Sequence, residues 1–437
     1  MIVSSAFLYE RKHFLHSKAK VVAYVLFVIA AIYALYNGFT LQKSQEKTIQ
    51  EIRQKQAEGF KKVTQWYQQG KKGPEDRPWV NIEQPFWALW NLPTYAIKQP
   101  SPLLPLGIGQ TEQYAYYKRI TNWSTTYDTD MVEELANPER LTAGTIDFSF
   151  LVLYLSPLLL IIFIYNIYGL ETDLQFDKLL AIQVKSVPRW IAARTLFYFV
   201  IIWLTLSIAI WAVAIINNAV STHIMAINRI WLLTSFYLLG WCLLGFTAII
   251  FSKNSKSIAF TLISGWLIVC VLIPGGVHQW IHIKHPTNYM TDYLDANRKQ
   301  AYAVYDLSAT EKQKMLTALY PFITQTKAYN TNKPPEEIID NTVSAIINQQ
   351  NKKAIAKVES GYATKNKAIE ASYWYNPVVL LQNTWNGHTG SSFYDFQVFR
   401  NEVQQKIDKK ILLLVQECWQ ERKVNESIYQ NYRKQLI

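Results

Sequence analysis

The chain has 437 residues, 50% hydrophobic, with 15 Trp and 27 Tyr, a formal charge of +12 and a mean hydropathy close to zero. Gly and Pro, at 16 each, rule out a collagen-like or wholly disordered chain. Apolar blocks long enough to cross a bilayer alternate with long polar segments, which excludes a simple soluble enzyme and a compact bundle with only short loops.

A span needs roughly 20 mostly apolar residues to cross about 30 Å of hydrocarbon. Residues 21–39 qualify and carry no charge. The polar leader before them is long and no small-residue cleavage site follows, so the segment reads as an anchor and not a secretion signal. Residues 41–67 continue it with charges throughout, predicting that the span runs on as a helical stalk. A stretch with Pro74, Pro78, Trp79, Pro85, Trp87, Trp90, Pro93, Pro100, Pro102 and Pro105 follows. That composition blocks regular helix and suits an extended segment packed on a surface. A carbohydrate- or lipid-facing aromatic patch is one reading. The blander one, Trp and Pro stapling an irregular loop to a helical body, is preferred.

Residues 148–168, 196–216, 230–251 and 258–273 supply four further spans, and no sixth is found. Lys and Arg in short flanks set orientation. Arg11, Lys12, Lys18 and Lys20 in the leader, Lys178, Lys185, Arg189 and Arg194 between spans two and three, and Lys253 and Lys256 between spans four and five all fall on one side if the N-terminus is cytoplasmic. Segments 40–145 and 276–437 are then external, and the C-terminus ends outside.

In the second external segment, Ser308 and Glu311 have capping-box spacing before a helix running towards Tyr320. Pro334, Pro335, Glu336 and Glu337 open another helix, expected to reach Val358 and end near Ser360 and Gly361. The tail from Phe393 onward reads as helix, and the apolar run 411–415 as one face of it. The expectation is an all-α polytopic membrane protein: five transmembrane helices plus a mainly helical external domain built from two segments. Cys242 and Cys270 lie within spans and Cys418 in the tail, so no local disulfide is expected.

The charge invites a nucleic-acid reading, but it is spread over both faces and mixed with acids, and no zinc-ligand spacing or basic helix with interleaved aromatics appears. No nucleic-acid partner is expected. There is no G-x-x-x-x-G-K-[ST], and Gly107 and Gly109 lack the Lys and helix of a phosphate loop. No G-x-S-x-G or H-E-x-x-H occurs, so no catalytic residue is assigned. His278, His282 and His285 have helical spacing, but without a nearby Cys or acid they read as boundary histidines and not a metal site.

The spans contain essentially no ionisable residue, only Asp147 at one edge and Glu171 at another, which argues against an ion-driven carrier. It fits spans moved by force from elsewhere. Within residues 169–194, Leu174, Asp177, Lys178 and Ala181 line one face of a short helix. Leu179, Leu180 and Ile182 are left to pack, and Pro188 breaks the helix. A lever for a soluble partner and an ordinary basic surface turn are equally compatible with this spacing.

The runs Asn137-Pro-Glu-Arg-Leu to Thr145-Ile-Asp147-Phe, Tyr154-Leu-Ser-Pro157-Leu-Leu, and Tyr165-Asn166 leading to Glu171 resemble the permease subunits of ABC-2-type transporters. The branch they resemble has a large external insertion after the first span and no assigned substrate. Leu106-Gly-Ile-Gly-Gln110, Tyr116-Tyr117 and Asn376-Pro377 are also similar to that branch. The resemblance covers most of the chain and is specific over about 137 to 194.

It implies that 1–20 forms a cytoplasmic elbow helix, around Glu10 to His16, lying in the interface before the first span. It also implies that 169–188 is a coupling segment docking on a separate ABC ATPase subunit. Glu171, Asp173, Asp177, Lys178, Gln183, Lys185, Ser186, Pro188, Arg189 and Arg194 are its implied coupling residues. No cofactor belongs to this chain, ATP and Mg being held by the partner ATPase. A second permease, identical or related, and membrane lipids complete the implied partners.

The implied location is the bacterial inner membrane, and the implied role is an exporter or envelope-remodelling permease, not itself an enzyme. Gln175 stands where the family commonly has Gly, Val184 where it often has Pro, and the usual sixth span is missing. The alternatives are a non-transporting receptor or scaffold with a helical external domain, and a membrane enzyme acting on lipid or glycan through the Trp-rich stretch and the histidines.

Overall fold

The computed structural model describes residues 2–127, 146–184, 186–252, 254–286, 293 and 295–437. Lys185, Lys253 and the 137–145 run singled out above lie outside them. Helix α1 (Ile2–His16) ends at Ser17, whose extended backbone turns the chain into α2 (Lys18–Gln68), one continuous helix of 51 residues. After it come α3 (Pro85–Trp90) and two strands, β1 (Thr94–Ile97) and β2 (Tyr117–Ile120), paired antiparallel with Thr94 opposite Ile120. Then follow α4 (Phe148–Asp173), α5 (Asp177–Gln183), α6 (Val187–Ile216), α7 (Val220–Phe251) and α8 (Ser255–Lys284). The remaining helices are α9 (Asp295–Tyr305), α10 (Ala309–Leu319), α11 (Glu336–Thr342), α12 (Ser344–Ala371), α13 (Pro377–Thr389), α14 (Phe393–Trp419) and α15 (Glu426–Leu436).

Helices α2, α4, α6, α7 and α8 are long and apolar enough to cross a membrane. They pack on one another through Phe27, Leu160, Ile164, Ile202, Leu206, Ile230, Leu238, Trp241 and Leu262. Their outer faces are apolar as well. Val22, Leu26, Ile29 and Tyr33 on α2, Ile208 on α6, Phe236 on α7 and Phe260 on α8 are all exposed. A helix apolar on every side is one that is buried, in the core of a large protein or in a membrane.

Proline shapes two of these helices. Pro157 follows a π-helical turn, Leu151–Leu155, and Pro274 follows another, Ile268–Leu272. A proline clashes with the carbonyl four residues back and gives it no N–H, and a wider turn accommodates this. For Pro157 that carbonyl is Leu153 O, and the Tyr237 hydroxyl donates to it at 2.5 Å.

The polar residues assemble at one end of this bundle. Val304, Leu316, Ile339, Ile346, Val403, Ile407, Ile411 and Trp419 form one core, with Ala96 and Ile120 of the hairpin against it. A second core joins Phe60 and Val63 of α2 to Ala88, Leu89 and Leu92 and to Leu414, Tyr429 and Tyr432. The segment between α2 and α4 and the segment after α8 therefore build one distal body around the end of α2.

The elements differ from expectation in several places, among them the earlier starts of α6 and α7 and the division of the 336–358 helix into α11 and α12. The chain is helical but not purely so, since β1 and β2 pair within the segment between α2 and α4. The Pro- and Trp-rich stretch holds α3 and β1 and is not extended throughout. Helix α12 passes through Ser360 and Gly361 to Ala371, held there by the Arg400 guanidinium, which donates to Glu359 at 2.6 and 3.2 Å. Helix α8 starts at Ser255, close to the expected 258–273, and runs well past its far end to Lys284. The Ser308–Glu311 capping box is present, and the three cysteines are buried and free.

Candidate functional site

At the bundle end opposite the distal body, three elements meet on a buried ionic cluster. Helix α1 sets Glu10 between Phe7 and Phe14, in an i, i+3, i+7 row. Phe7 meets Phe197 with ring centroids 5.4 Å apart, and Phe14 meets Phe163 at 5.6 Å. That row is the apolar face of the helix, so burying it carries the carboxylate in as well. Glu10 is fully buried and Arg194 is 2% exposed.

The Arg194 guanidinium donates through Nε to Glu10 and through Nη1 to Glu171 at 2.7 Å. It also lies 4.3 Å from the centre of the Trp190 ring, one turn back on α6. Tyr198, one turn forward, donates its hydroxyl to the other Glu10 oxygen at 2.6 Å. Lys20, at the start of α2, donates to Phe163 O at 2.7 Å and to the Tyr198 oxygen at 2.9 Å.

Two carboxylates thus face two cations, and the cluster is balanced. Balance matters because each ion loses several kcal/mol or so of hydration on burial, which only well-formed partners offset. His13 stands beside it, Nδ1 3.8 Å from Glu10. Burial and the Lys20 charge hold its imidazole below the ordinary value.

Glu171 reaches the cluster because the backbone breaks at Tyr168, at φ 61°, and restarts with Gly169. A Cβ on Gly169 would stand 2.8 Å from both Cα and N of Ser255, so only glycine lets this turn lie against the start of α8. Asp173 accepts weakly from Ser255 N, at 3.4 Å. Gln175 has φ 63°, the left-handed region, which is a position suited to glycine. The departure noted there is a residue type placed in a conformation that costs it about 1 kcal/mol.

From this root the α5 hairpin stands free. Leu174, Phe176 and Leu179 are 56%, 56% and 53% exposed, and Ile182 is 84% exposed. Lys178, Gln183, Pro188 and Arg189 are exposed too, and Asp177 and Ser186 half-buried. Ser186 marks the extended start of α6, with Pro188 in its first turn. Of the coupling residues the resemblance implied, Glu171 and Arg194 come together, Asp173 lies at the root beside Ser255, Asp177, Lys178 and Gln183 lie on α5, and Ser186, Pro188 and Arg189 form the start of α6. Lys185 lies outside the described residues.

The sequence reading placed Lys20 and Arg194 in the flanks of the first and third spans; both lie near the starts of α2 and α6 and both are buried. Glu10, Lys20 and Tyr198 were missed as site residues. The available signal was a carboxylate in the middle of the Phe7–Phe14 apolar row.

At the other bundle end, His278 and His282 stack on α8 with ring centroids 6.5 Å apart. Among the described residues no group of three His, Cys, Asp or Glu side chains is placed to hold a metal. No family model, curated protein or solved structure matches this chain.

Proposed function

We propose that this chain is a membrane permease subunit driven by a separate ATPase, working as an exporter or an envelope remodeller, with the α5 hairpin as the docking element. The helices α2, α4, α6, α7 and α8 cross the bacterial inner membrane, with α1 and α5 on the cytoplasmic side and the distal body outside. The Lys and Arg flanks give that orientation. ATP and Mg are held by the partner, and a second permease, identical or related, completes the assembly.

The observation that carries this reading is the contrast within residues 169–194. The root is fixed by Glu171, Arg194 and Glu10, while four large apolar side chains on the hairpin, Leu174, Phe176, Leu179 and Ile182, face outward with no cover from the chain itself. An exposed apolar cluster on a short, firmly rooted element is the kind of surface a soluble partner covers. Movement of the hairpin then passes through Glu171 to Arg194 in α6 and through Glu10 to α1.

The test is co-purification from native membranes under mild extraction. Ile182→Asp alters the docking face without touching the fold. An ATPase subunit that accompanies wild type and is lost with Ile182→Asp supports the reading. If no ATPase accompanies the wild-type chain, the permease assignment fails.

A further inference from the structure

The Pro- and Trp-rich stretch is only partly a staple. Ala88, Leu89 and Leu92 make the contacts with Phe60 and Val63 of α2. The tryptophans turn the other way. Trp79 is 64% and Trp90 37% exposed, and with Trp87 they line a cleft of about 250 Å³ closed by Pro74, Arg77 and Asn91. Elsewhere the indole N–H groups of Trp203, Trp231, Trp266, Trp385 and Trp419 donate to protein oxygens. Those of Trp79, Trp87 and Trp90 have no such acceptor among the described residues, as is also true of Trp66, Trp123, Trp190 and Trp374, but only the first three share a cleft. Trp87 and Trp90 pack one side against the Phe86 ring, with centroids 5.1 and 6.1 Å apart, and leave the other side to the cleft, while Trp79 is the most open of the three.

We propose that this cleft is a saccharide-binding site, taking one or a few pyranose units of a neutral glycan. Flat indole faces match the apolar C–H face of a pyranose. The hydroxyls around its edge need donors and acceptors in a plane, which a guanidinium and a carboxamide supply. The competing ligand for an aromatic cage is a quaternary ammonium group. Arg77 in the lining opposes a cation: it lies 3.6 Å from Asp76 and Lys71 pairs with Glu75, but Lys72 leaves the segment with a net positive charge.

A lipid headgroup of the protein's own membrane is out of reach. The cleft packs on α2 near Phe60, about 30 Å along the helix beyond the end of the uncharged apolar run at Phe39. That exclusion rests on α2 crossing the membrane, whereas saccharide binding is read without any ATPase, so the two ideas fail separately.

The experiment uses the full chain in a detergent without a sugar headgroup, with cellohexaose, chitohexaose and maltohexaose as probes. Saturation-transfer NMR reports which ligand protons touch the protein. At least one glycan is expected to show transfer centred on its ring C–H protons. Trp79→Ala/Trp90→Ala should weaken binding by about tenfold or more. Trp79→Phe should retain part of it, and Trp374→Ala, at an 84% exposed tryptophan outside the cleft, should leave it unchanged. Both cleft positions are solvent-facing, and unchanged elution and circular dichroism will verify folding. The proposal is overturned if none of the three glycans shows transfer, or if transfer persists in the double variant. It is also overturned if phosphocholine or a proline-rich peptide binds through Trp79 and displaces the sugar.

Discussion

Replacing Arg194 by methionine tests whether the ionic cluster holds α1, α4 and α6 together. The wild-type cluster sets Glu10 and Glu171 against Arg194 and Lys20. The variant leaves two carboxylates against one ammonium, and Lys20 donates to Phe163 O and Tyr198, not to either carboxylate. Glu10 is fully buried, so its charge cannot recover solvent. Breaking a buried pair from one side costs about 3–5 kcal/mol, and the lost stacking on Trp190 adds up to about 1 kcal/mol.

A chain of this size with two bodies does not unfold in one step, so the assay is the midpoint of thermal loss of the monodisperse peak in detergent, compared between variants. A fall of about 10 °C is expected for Arg194→Met. The informative control is the double variant Glu10→Gln/Arg194→Met. It restores balance, with Glu171 against Lys20, and the carboxamide introduced in place of Glu10 still offers an oxygen to the Tyr198 hydroxyl. It should recover at least about half of the loss, as coupled residues do in a mutant cycle. An Arg194→Met midpoint within about 2 °C of wild type would refute the reasoning. So would a double variant no better than the single one.

Two further outcomes follow from local geometry. Gly169→Ala should cost about 1–3 kcal/mol by overpacking against the Ser255 backbone, and should speed tryptic cleavage at Lys178 and Arg189. Gly240→Ala, with nothing within 4 Å of its added carbon, should do neither. Lys410 is fully buried, its ammonium donating to Ile120 O at 2.8 Å and Leu92 O at 3.3 Å; burial and the nearby Arg119 charge push its pKa down to about 7 from 10.5. The unfolded chain then holds more protons between those values, so stability of the distal body rises with pH across that window. The slope should be about 1 kcal/mol per pH unit, and Lys410→Met should flatten it in melts taken from about pH 7.5 to 9.5.

Local signals in the sequence were sufficient where the structure is local. Apolar length located five helices, the charged continuation of the first was read as a stalk, and Ser308 with Glu311 announced a cap that is present. What escaped was long-range. Glu10 and Arg194 are 184 positions apart, and nothing in either flank names the other. Gly361 looked like a stop because glycine costs a helix about 1 kcal/mol. The Arg400–Glu359 pair, one residue from Ser360, ties α12 to α14 and outweighs it. Strands β1 and β2 carry no tight-turn signal, since nineteen residues separate them, and only the core around Ile120 and Ala96 pairs them.

The same long-range contacts decide how a displacement at α5 would travel under the proposed function. Helix α2 starts in the cluster at Lys20 and ends in the distal core, some 75 Å of helix without a break. Its flexible points are Gly38 and Gly59, and each is backed by a proline. A Cβ on Gly38 would meet Pro105 Cα at 2.5 Å, and one on Gly59 would meet the Pro93 ring at 3.0 Å.

A second route runs through α4. Asp147 caps that helix by accepting from Phe150 N at 2.7 Å and also accepts from Ile108 N at 3.1 Å. Two residues earlier in the same loop, Leu106 O accepts from the Trp385 indole at 2.8 Å, and Trp385 sits on α13 against the bundle. Asn217, after α6, donates to Pro102 O at 2.6 Å and to Gln42 at 2.9 Å. The loop 102–110 therefore joins α2, α4, α6 and α13 at a single level. A distal body attached at so many points cannot swing on one linker. Motion of α5 would tilt it together with α2 and α4, which makes the far end of α2, where the tryptophan cleft sits, the place of largest displacement.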